Sequence, residues 1–414
     1  MRLPHIIKQP LPAGPGAQAR TLPAVVLRHP MLLPALGAMA AARVLGFLAV
    51  YIGGTWFTPI AHASTRLAPV FVHDSLLARL MRPWANWDGV WYIGIASHGY
   101  HRPGSLAFFP FYPSLLRGAA ALTDGNYVLA GVAVSMLAAL AAAAVLYLLV
   151  EDDHGPRVAL WAVVFLAFFP TSFFLQAVYT ESLFVLTTVA CVLWARRGRW
   201  ALAGLAGMLA ALTRSTGVLL LIPFLWFYGS TIGWRWRRID RRILWSLLVP
   251  AGLAAWMVYQ WLRQGDPLSF NDAQSMWRRH LASPLTSLWH GANDSLILIH
   301  RLLVHGTLDP RGLHNLIAFP LLALAAVVLS LAWRQLRPAY VLYAVAAILM
   351  PLCYPTLAKP LYSMPRFLLA CFPIFIALAL VTDRRPRLRA VLLAAFTAGY
   401  LFLTIEFTRI IFVG

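Results

Sequence analysis

Asp88 stands in the run NWDGVWYIGIASHGY, residues 86–100, of a chain with only 14 aspartates and glutamates among its 414 residues. Its neighbours Trp84, Trp87, Trp91 and Tyr92 are rings of the kind that settle at a membrane–water boundary. A carboxylate partly desolvated beside such rings is a better base for the proton of a hydroxyl. Its plainer use is at the start of a short helix, where the dipole favours an acid. A second acid, Glu181, follows Tyr179 in FFPTSFFLQAVYTESLF, residues 168–184. It reads as a helix start capped by Thr180, as the partner of Arg214, or as part of a site.

Anion chemistry has its own candidates. LTRSTG, residues 212–217, sets Arg214 beside two hydroxyls and a glycine, and a guanidinium grips phosphate oxygens in pairs. PTLAKPLYSMPRF, residues 355–367, adds Lys359, Tyr362 and Arg366, and Trp277, Arg278, Arg279, His280 and Trp289 follow the same theme. Binding of lipid headgroups is the simpler use of these groups. In LAFFPFYPSLL, residues 106–116, Pro110 and Pro113 flank Phe111 and Tyr112 and make an elbow, since proline interrupts a helix. Arg43 falls within the first apolar run and should face the bundle interior. Glu406 and Arg409 are three apart and can pair. Asp152 and Asp153 form an acidic couple that reads as a solvated turn.

The elements that must position these residues follow from composition. The chain is 60% hydrophobic and 12% charged, against about 45–50% and 25% for a soluble domain. Several apolar runs reach the roughly 20 residues that a helix needs to cross a bilayer. The fold class expected is all-α and polytopic, with helices near 31–57, 127–150, 156–176, 180–195, 200–213, 216–232, 243–262, 313–333, 338–354, 366–382 and 390–412, or about eleven spans. A basic, proline-rich tail, 1–30, precedes a single transmembrane domain, 31–414. The net charge is +20, and its arginines cluster at 196–199, 235–242, 334–337 and 384–389, as cytoplasmic loops require. That distribution argues for membrane lipids, not nucleic acid, as the partner. The N-terminus is then cytoplasmic, and the long segments 58–126, with interfacial helices, and 263–312 lie outside. The segment 200–232 is expected to cross twice, as two short helices meeting near Arg214; one long tilted helix is the alternative, and it would put the later clusters outside. Cys191, Cys353 and Cys371 have no partner spacing for a disulfide or zinc site.

The runs NWDGVWYIGIASHGY, FFPFYPSLL, FFPTSFFLQAVYTESLF and LTRSTGVLLLIP, in this order, resemble the PIG-V-like mannosyltransferases of the GT-C glycosyltransferase superfamily. The likeness covers residues 84–224. It implies a GT-C-like bundle and an inverting transfer of a sugar, usually mannose, from a polyprenyl-phosphate carrier to a hydroxyl acceptor on the non-cytoplasmic face of the cell membrane. It places Asp88 at the acidic position of the first outer loop, as general base. Trp87, Trp91, Tyr92, Tyr112, Tyr179, Glu181, Arg214, Lys359, Tyr362 and Arg366 are the expected substrate-binding residues, with Arg214 and Arg366 on the phosphate. No metal or cofactor is expected, and no GxGxxG or P-loop is present for a nucleotide. Heavy use of alanine, arginine and leucine points to a bacterial homologue, so the acceptor does not carry over. The competing class is a lipid or lipid-linked-sugar flippase, which would spread ionisable groups along helix interiors.

Overall fold

The computed structural model describes residues 28–57, 75–306, 313–356 and 360–409, and every regular element among them is helical. In chain order the α-helices are α1 (Leu32–Trp56), α2 (Leu76–Met81), α3 (Asp88–His98), α4 (Phe111–Ala120), α5 (Tyr127–His154), α6 (Pro156–Phe168), α7 (Glu181–Arg196), α8 (Trp200–Ala211), α9 (Leu221–Thr231), α10 (Leu248–Gln264), α11 (Ser269–Asp272), α12 (Pro284–His305), α13 (Leu313–Ala332), α14 (Pro338–Leu352), α15 (Met364–Ala370), α16 (Pro373–Thr382) and α17 (Pro386–Thr408). A helix occupies each of the eleven expected positions. Four helical stretches, Leu32–Trp56, Tyr127–His154, Arg241–Gln264 and Pro386–Thr408, are each long and apolar enough to cross a membrane alone. Two of the other expected spans are shortened by identifiable breaks.

Helix α6 stops at Phe168 instead of running to 176. Pro170 follows, and the residue before a proline is pushed to extended backbone; Phe169 has φ −56° and ψ 142°. The freed carbonyls need donors. Arg43, buried in α1, supplies them, with Nη2 donating to Ala167 O at 3.0 Å and Nη1 to Ser172 O at 2.6 Å. The expected interior-facing charge is therefore a clasp on a broken helix. The span expected over 366–382 is likewise two helices, α15 and α16, bent by 77°, because Pro373 has no N–H to continue the ladder.

The hairpin expected at 200–232 is present. Trp200 at the start of α8 packs on Tyr228 at the end of α9, with ring centroids 5.5 Å apart. At the turn, a Cβ on Gly217 would lie 2.4 Å from the backbone of Ala210 and Ala211. Helices α8 and α10 then run parallel: Gly204 abuts Trp245, Gly207 abuts Val249, and Gly252 abuts Met208. Small residues let these backbones approach, as in membrane helix pairs generally. Two parallel helices with one antiparallel helix between them require the chain to go up and return.

At the bundle end opposite this turn, the acidic couple is not a solvated turn. Asp153 has 2% of its side chain exposed and meets Arg196 Nη2 at 2.6 Å, Arg337 Nη2 at 2.7 Å and the Tyr340 hydroxyl at 2.6 Å. Asp152 meets Arg196 and Arg197, and Asp383 meets Arg157. Buried carboxylates keep their charge by pairing, so these acids gather the arginine-rich loops at one end. Glu406 and Arg409 pair at 2.8 Å, as their spacing indicates.

Candidate active site

The other end of the bundle carries the chemistry. Asp88 is the first residue of α3, an acid in the helix's first turn, and Trp87 before it, the N-cap residue, makes no side-chain cap bond. The preceding Trp87 has φ +58°, a strained region for a bulky side chain that costs about 1–3 kcal/mol and must be held by its surroundings. The Tyr179 hydroxyl holds it from both sides, donating to Asn86 O at 3.0 Å and accepting from Asp88 N at 3.1 Å. Asn86 in turn donates to Phe407 O at 3.0 Å. Ser363, just before α15, has φ +64°. The two helices that deliver Asp88 and Arg366 thus both begin at strained residues.

Arg366 is the hub. Its Nη1 donates to Asp88 Oδ2 at 2.7 Å, and its Nε and Nη2 meet Glu181 Oε1 at 2.8 and 2.7 Å. The guanidinium lies over the adjacent rings of Tyr179 and Phe174, 4.7 and 4.8 Å from their centroids, which are 5.0 Å from each other, a cation–π setting that favours the charge out of water. Arg214 Nη1 reaches Glu181 Oε1 at 3.3 Å, without the geometry of a hydrogen bond. Arg214 also faces the Phe367 ring at 5.3 Å, and Arg279 faces the same ring at 5.9 Å. Burial, reinforced by the neighbouring Arg366 charge, pushes Arg279 down from its ordinary value, although an arginine stays charged in proteins. Burial and Asp88 push the Tyr362 hydroxyl up to about 12, so it remains a donor at neutral pH.

The expected residues separate into two shells. Asp88 keeps 23% of its side chain exposed, and Trp87 is 37% exposed. Trp91 is half-buried, stacking on Phe108 at 5.6 Å and meeting Trp277 edge-on. Tyr92, Tyr112, Tyr179 and Glu181 are buried. Tyr92 packs edge-on against both Tyr112 and Tyr179, and burial raises its hydroxyl above the ordinary tyrosine range. Lys359 lies outside the described residues. Asn86, Phe174 and Phe407, which fix the geometry of Asp88 and Arg366, were not singled out from sequence. Only the asparagine ahead of Trp87 and Asp88, in the quoted motif, offered a signal.

This geometry sits largely within a recognised segment: residues 47–230 match the family model described as Mannosyltransferase (PIG-V). That part of the chain is PIG-V-like. It contains Asp88, Glu181 and Arg214, and ends before Arg279 and Arg366. The chain is similar to the GPI alpha-1,6-mannosyltransferase 2 of Rattus norvegicus, at 34% identity over 168 residues, 38% of this chain and 34% of that protein. It is also similar to the GPI mannosyltransferase 2 of Yarrowia lipolytica, at 33% identity over 164 residues, 39% of this chain and 44% of that protein. The aligned part thus spans a third to under half of these relatives. Among solved structures, ArnT from Cupriavidus metallidurans bound to undecaprenyl phosphate aligns with TM-score 0.48 and 15% identity, covering 84% of this chain and 59% of that one.

Proposed function

We propose that this protein is an inverting glycosyltransferase that moves a sugar, mannose by its PIG-V-like segment, from a polyprenyl-phosphate carrier to a hydroxyl acceptor. The reading is carried by one observation: Arg366 holds a partly exposed Asp88 within a cluster that has more guanidiniums than carboxylates. Arg214, Arg279 and Arg366 against Asp88 and Glu181 make three minus two, one net positive charge. A phosphodiester carries one negative charge, so a lipid-phosphate sugar balances the cluster.

In this reading Asp88 takes the proton of the acceptor hydroxyl as that oxygen attacks the anomeric carbon. The carbon–oxygen bond to the phosphate breaks on the opposite face, and its electron pair leaves with the phosphate. One displacement inverts the anomeric centre. Arg366 already has its donors on two carboxylates, so it orients Asp88. Arg214 and Arg279 are the groups with donors to spare for the developing phosphate charge. Trp87, Trp91 and Tyr362 line the approach, while Tyr92, Tyr112, Tyr179 and Glu181 hold these groups in place. The arginine-rich bundle end is assigned to the cytoplasm by the positive-inside bias. In this reading the N-terminus lies inside and the site opens on the outer face of the cell membrane.

The test is transfer of label from radiolabelled polyprenyl-phosphate mannose, in reconstituted vesicles supplied with membrane lipid extract. Wild-type protein should produce a labelled product and free polyprenyl phosphate, and Asp88→Asn should not. Label that crosses the bilayer while still bound to its carrier would replace this reading with a flippase.

A further inference from the structure

Residues 263–312 look like a loop in sequence, yet they contain α12, a helix of 22 residues with three distinct faces. Ser287, Gly291, Ser295 and Leu298 pack against the protein. Leu285, Trp289, Leu296, Ile299 and Leu303 form a second stripe that is exposed, 76% for Leu285 and 79% for Leu303. His290, Asn293, His300 and Arg301 form a third, also exposed, interrupted by Ile297 and Val304. At 3.6 residues per turn the three stripes are centred roughly 120° apart.

The first turns of α12 lie at the site end of the bundle. Ser287 Oγ, in its first turns, donates to Leu352 O at 2.7 Å, at the end of α14. Its last turn leads through 307–312 into α13, whose far end joins α14 near Arg337, at the arginine-rich end. The eight steps of chain from His305 to Leu313 reach at most about 28 Å, less than the ~33 Å length of α12, so α12 does not run down the depth of the bundle. On α14, which α12 meets through Ser287, Leu342, Val345 and Leu349 are exposed as well. A helix with a packed face, an apolar face and a polar face fits a bilayer boundary, where each face meets its own medium.

We infer that α12 is an interfacial membrane helix, its Leu285–Leu303 stripe in the acyl boundary of the lipid and its His290–Arg301 stripe in water. Its packed face grips the roof of the candidate site. A Cβ on Gly291 would lie 2.6 Å from the Leu361 side chain. Just before α12, His280 N donates to Pro355 O at 3.2 Å and Ala282 N to Cys353 O at 3.0 Å. Cys353, Pro355 and Leu361, which these contacts reach, stand shortly before Ser363 and Arg366 in the chain, so the lipid seat of α12 bears on the depth of that roof.

The test uses the full chain with Cys191, Cys353 and Cys371 changed to serine and one new cysteine carrying an environment-sensitive fluorophore. The protein is reconstituted in vesicles of phosphatidylcholine and phosphatidylglycerol. At Leu296→Cys and Leu303→Cys, lipids with a doxyl group in the upper acyl chain should quench severalfold more than aqueous iodide. At Asn293→Cys and His300→Cys the order should reverse. Leu285→Cys, on the same apolar stripe, serves if either leucine variant fails to fold. Equal iodide quenching at all positions would place the stripe in water and overturn the inference. Protection of the leucine positions from both quenchers would place a protein partner there and overturn it equally.

Discussion

Asp88 was visible in sequence because an acid among tryptophans is rare in so apolar a chain; its partner was not. Arg366 lies 278 residues away, and no spacing rule reaches that far, so sequence offered it for a phosphate when two carboxylates hold it. The consequences are measurable. Asp88→Asn should preserve folding and lower turnover by roughly 10²–10⁴, the usual weight of a general base; near wild-type turnover in a well-expressed variant would end the assignment. The Arg214 guanidinium keeps unused donors, so Arg214→Lys, which retains charge without the fork, should cost turnover. Arg214→Ala should cost considerably more, in kcat as well as KM. If Arg214 served only to neutralise Glu181, Arg214→Ala would lower stability with kcat unchanged.

At the scale of elements, helix positions were readable from apolar runs, and their interruptions less so. Pro170 and Pro373 are plain in the sequence, but whether a proline kinks a span or ends it depends on what satisfies the freed carbonyls, here Arg43, 124 residues from Ala167. Segment 263–312 hid α12 because a helix with one polar face has neither the length of apolar run nor the two-faced period that sequence reading relies on. The hairpin turn gives the sharpest element-level test. A side chain at Gly217 would strike the backbone of Ala210 and Ala211 at 2.4 Å, and backbone cannot yield as a side-chain tip can. Gly217→Ala should therefore destabilise by about 1–3 kcal/mol, read as a lowered unfolding temperature in detergent. An unchanged midpoint would show that the turn opens freely.

For the whole molecule, the division into two ends was legible from charge alone: arginines with Asp152, Asp153 and Asp383 at one end, and Asp88, Glu181 and Arg366 at the other. Which end faces the outside is tested by labelling. In a cysteine-free chain, Leu122→Cys, exposed in the turn before α5, should react with an impermeant thiol reagent added to intact cells. Arg238→Cys, exposed between α9 and α10, should react only after lysis; the opposite pattern would invert the proposed orientation. The span between Asp88 and Arg366 also bears on synthesis. A ribosome adding about 5–20 residues per second leaves the two carboxylates without their shared cation for tens of seconds, while most of the bundle is already inserted. A nascent chain is therefore chemically incomplete until nearly its last helices emerge, and a product cut short before residue 366 would be inert from the outset.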